Sequence, residues 1–120
     1  MKLTLLWPPS VNRYWRHVGA KVLISQEGRE YVRAVRAAWT KWRVMACRSP
    51  DPISRPIRVS IVANQPDRRR RDLDNLLKAV LDALTKSGVW ADDSLIHDLR
   101  IRWGEEGAKG TLEVTIEVIE

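Results

Sequence analysis

The chain has 120 residues, 44% of them hydrophobic, and 21 basic against 15 acidic side chains give a net charge of +6. That length supports one modest core, so a single domain over residues 1–120 is expected, and the hydrophobic fraction argues against disorder. No apolar run approaches the roughly 20 residues of a membrane span, the N-terminal apolar stretch is too short for a signal peptide, and the lone Cys47 excludes a disulfide framework or a cysteine-based zinc site.

Leu3, Leu5 and Trp7 alternate with Lys2, Thr4 and Leu6, which predicts a strand ended by Pro8-Pro9, because proline cannot donate to a sheet ladder. The next stretch, SVNRYWRHVGAKVLIS, reads as a polar, aromatic and basic connection without a clean period. Ser25 is expected to cap a helix with Tyr31, Val32, Val35, Ala38, Trp39, Trp42, Met45 and Ala46 on one face. Arg29, Arg33, Arg36, Thr40 and Arg43 line an adjacent face, and the prolines of CRSPDPISRP turn the chain into a surface loop.

IRVSIVAN predicts a second strand with Val59, Ile61 and Ala63 on one side. Leu73, Leu76, Leu77, Val80, Leu81 and Leu84 recur at helical spacing, the strongest such signal in the chain, closed by Lys86 and Gly88. VWADDS is expected as a loop, Leu99, Ile101 and Trp103 as a third strand, GEEGAKG as a turn, and Leu112, Val114, Ile116 and Val118 as a fourth strand. The order βαβαββ predicts an α/β (α+β) domain with two main helices packed on a mixed sheet.

Charge is segregated along the chain. Residues 1–71 carry 16 basic and 4 acidic side chains, whereas residues 72–120 carry 5 basic and 11 acidic. The sign flips inside DRRRRDLDN (67–75), where Arg68, Arg69, Arg70 and Arg71 abut Asp72 and Asp74. A basic run is the electrostatic footprint of a polyanion binder, and nucleic acid is the expected partner. The adjacent acids have two readings. In one, Asp72 caps the helix and Asp74 pairs with Lys78 at i+4. In the other, Asp72, Asp74 and Asp93 of the later WADDS loop hold a hard divalent cation such as Mg²⁺, which wants oxygen ligands and keeps several waters. The cation would draw a phosphate to a place where bare carboxylates repel it, and Lys78 would stabilise charge developing during phosphodiester hydrolysis. No P-loop, dinucleotide-binding turn or nucleophile elbow competes with the second reading, and no small-molecule cofactor is expected.

PDRRRRDLDNLLKAVLDAL, followed by GVWADD, resembles the RusA family of Holliday junction resolvases, as do WPPSVNRYWRH, SQEGREYVR and GTLEVTI. The resemblance covers nearly the whole chain. It implies a Mg²⁺-dependent homodimer, with Mn²⁺ as a possible substitute, that nicks two strands of four-way junction DNA symmetrically in recombination and repair. By motif position it implies Asp72, Asp74 and Asp93 as metal-binding acids and Lys78 as catalytic lysine, with Asp92, which precedes the matched aspartate, the less favoured ligand. A cytoplasmic, nucleoid-associated protein without a membrane partner is expected. The alternatives are a non-catalytic DNA-binding protein and a nuclease for another branched or RNA substrate.

Arg68 to Arg71 are candidate phosphate contacts, with Arg29, Arg33, Arg36 and Arg43 of the first helix, whose other reading is a solvated face, and with Arg13 and Arg16. Tyr14 and Trp15 between them could stack on unpaired bases, or serve as core or interface aromatics. A helix from Asp74 to Gly88 runs about 21 Å, and the five residues from Gly88 to Asp93 reach back at most about 17 Å. Asp93 is therefore expected to join the Asp72 and Asp74 of a partner chain more readily than its own.

Overall fold

The computed structural model describes residues 1–105 and 110–119. Six elements form the frame in the expected order: strand β1 (Lys2–Leu6), helix α2 (Gln26–Met45), strand β4 (Ile57–Asn64), helix α3 (Leu73–Lys86), and strands β5 (Ile96–Trp103) and β6 (Thr111–Val118). Between β1 and α2 the chain adds a single helical turn, α1 (Val11–Tyr14), and two short strands, β2 (Trp15–Val18) and β3 (Lys21–Ile24). This stretch had been expected as an irregular connection. Its hairpin turns at Gly19, whose φ of 61° matches the first central position of a type II′ turn. Trp15 and His17 face Ile24 and Val22 across it.

The main sheet has the order β1-β6-β4-β5. It is mixed: β6 runs antiparallel to both β1 and β4, whereas β5 runs parallel to β4. Parallel neighbours need a crossover, and α3 supplies it. One sheet face is apolar and buried through Leu3, Leu5, Ile57, Val59, Ile61, Ala63, Leu112, Val114 and Ile116. On it pack Tyr31, Val32, Val35 and Trp39 of α2 and Leu76, Ala79, Val80, Ala83 and Leu84 of α3, which enclose one core.

Several expectations need correction. Met45 is 77% exposed and Ala46 is exposed as well, because the last turn of α2 runs past the sheet. Leu99 is 40% exposed, since β5 is an edge strand. Val89 and Trp90 lie in the expected loop, yet that loop is fully buried at both residues. Ile53 forms a parallel bridge to Trp90, and the Trp90 indole donates to Thr85 Oγ1 at 2.7 Å. The central residues 106–109 of the GEEGAKG turn lie outside the described residues.

Ser25 caps α2 as expected, its Oγ accepting from the Gly28 amide at 2.9 Å. Gly28 is needed there: a Cβ would stand 2.5 Å from the Tyr14 carbonyl oxygen, so α1 could not approach α2 with any larger residue. Gly88 adopts φ of 82°, and this left-handed residue ends α3 just beyond Ser87.

Candidate active site

Asp72 occupies the N-cap position of α3 with an extended backbone, yet its carboxylate makes no capping hydrogen bond. Asp74 lies in the first turn and Lys78 one turn further on. Among the described residues, none of these three side chains has a hydrogen bond or ion pair. Neither the cap nor the Asp74–Lys78 pair that would explain them structurally is formed. Capping is visible elsewhere: Asp92 accepts from the Ser94 amide at 3.0 Å at the head of a short 3-10 helix (Asp93–Leu95), and the Ser94 hydroxyl, followed by this amide, holds its carboxyl below the ordinary range. Its neighbour Asp93 is exposed and has no such bond.

The four arginines are not equivalent. Arg71 is clamped by Asp67 through two bonds of 2.8 and 3.1 Å, reaches Gln65 at 3.4 Å, and stacks 5.5 Å over the Trp7 ring. Trp7 stacks in turn on Trp103, with 6.5 Å between centroids. This clamp holds the Asp67 carboxyl down at about 2, with a further bond from the Arg69 amide. Arg69 is far more open, its side chain 82% exposed and 4.0 Å from Asp67, and Arg70 is exposed. Arg71 thus shapes the loop, while Arg69 and Arg70 project from it.

Distant segments meet in a groove of about 590 Å³, where Arg13 and Trp7 join Arg69, Arg70, Arg71 and Asp72. The sequence-expected basic residues Arg13 and Arg69 to Arg71 therefore share one surface with the first acid. Asp93 lines a different groove, beside Lys78, Asp82, Thr85 and Trp15. Lys78 also borders a third, with Trp15 and His17. Lys78 and Asp93 are thus brought together in one chain, whereas Asp72 opens onto another groove.

Tyr14 is corrected. It is fully buried, so it cannot stack on a base without leaving the core. Its hydroxyl donates to Asp82 Oδ2 at 2.5 Å, and burial, with the Asp82 bond second, pushes its pKa well above the ordinary tyrosine value. Asp82 also takes the Lys86 ammonium at 2.9 Å, and Lys86 sits 5.1 Å over the Trp15 ring. Trp15 meets Tyr14 edge to face at 4.7 Å and remains half-exposed. Arg16 is exposed on the opposite face of β2. Sequence reasoning missed Asp82; the only signal was its i+4 spacing from Lys78 and to Lys86 on α3.

Three of the four arginines of α2, all but Arg33, are engaged with the fold. Arg36 donates to the Lys86 carbonyl at the end of α3 at 2.9 Å, Arg29 to the Ile24 carbonyl and Arg43 to the Arg48 carbonyl.

The donor set suits a hard cation. Asp72 and Asp74 offer carboxylate oxygens free of other bonds, and neither histidine nor cysteine stands with them as a softer ligand. Among the described residues of one chain, however, no three acidic, histidine or cysteine side chains lie close enough to hold a metal. None of the described helices is long and apolar enough to cross a membrane.

The family profile described as endodeoxyribonuclease RusA matches residues 7–117. A relative from Shigella sonnei (strain Ss046), named crossover junction endodeoxyribonuclease RusA, is 44% identical over 95% of this chain and 91% of its own length. A relative of the same name from Escherichia coli (strain K12) is 43% identical over the same shares, and one from Enterobacteria phage 82 is 44% identical over 95% and 91%.

Proposed function

The chain belongs to the RusA family of endodeoxyribonucleases, and on that premise we propose that it is a divalent-metal-dependent endonuclease that resolves four-way DNA junctions. In this reading it acts as a homodimer that makes paired nicks. The observation that carries the reading is the Asp72 carboxylate, which stands at the N-cap without capping and opens onto a groove walled by Arg13, Arg69 and Arg70.

The arginines would hold the phosphates flanking the cut, since guanidinium groups bind phosphate through paired donors. Asp72 and Asp74, with Asp93, would hold Mg²⁺ or Mn²⁺. The cation would supply neutralisation of a phosphoryl oxygen and a more acidic water. A carboxylate of the same cluster would take the proton as the water oxygen forms its bond to phosphorus. Lys78, free of any internal ion pair, would face the negative charge that builds as the bond from phosphorus to the leaving oxygen breaks. Water and phosphodiester become a phosphomonoester and a free hydroxyl, with no oxidant or energy source required.

The separation of Asp72 and Asp93 into different grooves supports a site completed by a second chain. A two-fold dimer would place one chain's Asp93 against the other's Asp72 and Asp74, and would present two equivalent sites to two equivalent strands. Incubation of labelled four-way junction and matched duplex with the protein and Mg²⁺ tests the function. Symmetric nicks in the junction alone are expected, and none in EDTA. Equal cutting of duplex, or binding without cutting, would contradict it.

A further inference from the structure

We propose that the groove between α1, the β2–β3 hairpin and α3 receives one unstacked nucleobase of the strand to be cut. The inference rests on the nuclease reading above and deepens it.

The groove measures about 590 Å³ and is lined by Val11, Asn12, Trp15, His17, Val22 and Lys78. Strand pairing explains the lining: His17 lies opposite Val22 and Trp15 opposite Ile24, so these side chains share one face of the hairpin. Trp15 is already held in place. Tyr14 packs against it at an interplanar angle of 77°, Lys86 sits over its ring, and both are anchored on Asp82. A partly buried indole fixed in this way is a stacking platform that loses little entropy when a base arrives.

Val11 and Val22 supply apolar walls. Asn12 and His17 supply a polar edge, and among the described residues neither has a hydrogen-bond partner. An amide beside an imidazole offers both donors and acceptors, which a base edge needs and an apolar partner surface does not. Lys78 closes one end of the groove. A base seated on Trp15 would therefore place its own phosphate near the lysine assigned to charge stabilisation. Exposed Arg13 and Arg16 flank the hairpin and favour a polyanion over a second copy of this basic segment. Duplex bases would have to unpair first at a cost of a few kcal/mol, whereas a branch point offers them already loosened. Trp15 is thus a specificity-determining contact, and Asn12 and His17 read the base.

The test uses the full-length protein in EDTA with four-way junctions carrying iodouracil singly at each position near the crossover. Photocrosslinks should map to the peptide containing Trp15 and His17, from one nucleotide next to the nick site, and a duplex of the same sequence should not give them. Trp15→Leu should lose the crosslink and weaken junction binding by about tenfold, while Trp15→Tyr keeps both. With Mg²⁺ restored, Asn12→Ala should change which junction sequence is nicked fastest. Junction binding with crosslinks confined to the arginine loop would overturn the inference and leave the nuclease reading standing. So would a Trp15→Leu variant that alters self-association without DNA and leaves junction affinity intact, for then the groove seats a second copy. Failure to bind any DNA would remove both readings.

Discussion

The Tyr14 hydroxyl donates a 2.5 Å hydrogen bond to Asp82, joining the segment before the hairpin to the middle of α3 across 68 residues. This contact holds Trp15 beside Lys78. Tyr14→Phe removes the donor and leaves Asp82 paired with Lys86. It should cost about 1.5–3 kcal/mol in urea denaturation, the range for a hydrogen bond to a charged group. The sign of its pH dependence follows from the raised pKa. The contribution is complete below about pH 10, where unfolded tyrosine is still protonated, and is lost as pH rises above that. The wild type should therefore lose more stability than Tyr14→Phe between pH 9 and 11. Parallel losses in the two proteins would show that the hydroxyl is not so engaged.

The Asp67–Arg71 clamp makes a prediction for acid pH. The bonds from Arg71, and then from the Arg69 amide, lower the Asp67 carboxyl from 3.8 to about 2. Its stabilising effect is present above 3.8 and lost as pH falls through about 2. A carboxyl NMR titration should give that low midpoint, and Arg71→Gln should move it upward. A midpoint unchanged by Arg71→Gln would mean that the clamp does not form in solution.

What could be read in advance depended on how each feature is encoded. The frame of the fold was legible because Val59, Ile61 and Ala63 alternate and Leu73 to Leu84 recur at helical spacing, and burial enforces both periods. The hairpin was not, because Val18 and Leu23 on one face and Val22 on the other are all exposed, so the stretch carries no one-sided pattern. Only Gly19-Ala20 marked it. Asp72, Asp74, Lys78 and Asp93 stood out as residues, but their distribution over separate grooves depends on where the 3-10 turn at Asp93 returns beside α3, which local sequence does not specify. The burial of Tyr14 was hidden for a similar reason. Its partner Asp82 is remote, and a tyrosine between arginines reads locally as surface.

The unequal arginines predict unequal effects on DNA binding. Arg69 and Arg70 project from the loop, so replacing both with Gln should weaken junction binding at moderate salt. The slope of log affinity against log salt should flatten by up to about two units, at about 0.9 per lost phosphate contact. Base preference should hardly change, because phosphate contacts carry no sequence information. An unchanged slope would make the pair a solvated surface.

In the proposed dimer, Asp72 and Asp74 of one chain and Asp93 of its partner form one hydrolytic site, and mixed dimers probe that arrangement. Asp72→Asn and Asp93→Asn proteins should each bind junction and cut nothing. Asp72→Asn should also be about as stable as the wild type, within roughly 0.5 kcal/mol, since its carboxylate makes no cap bond. After the two variants are unfolded together and refolded, each mixed dimer contains one site with every acid intact and one without Asp72 and Asp93. Nicking of labelled junction should return, as single nicks on one strand per dimer rather than paired cuts. If each chain instead completed its own site, every site in the mixture would lack an acid, and no nicking at all would contradict the account.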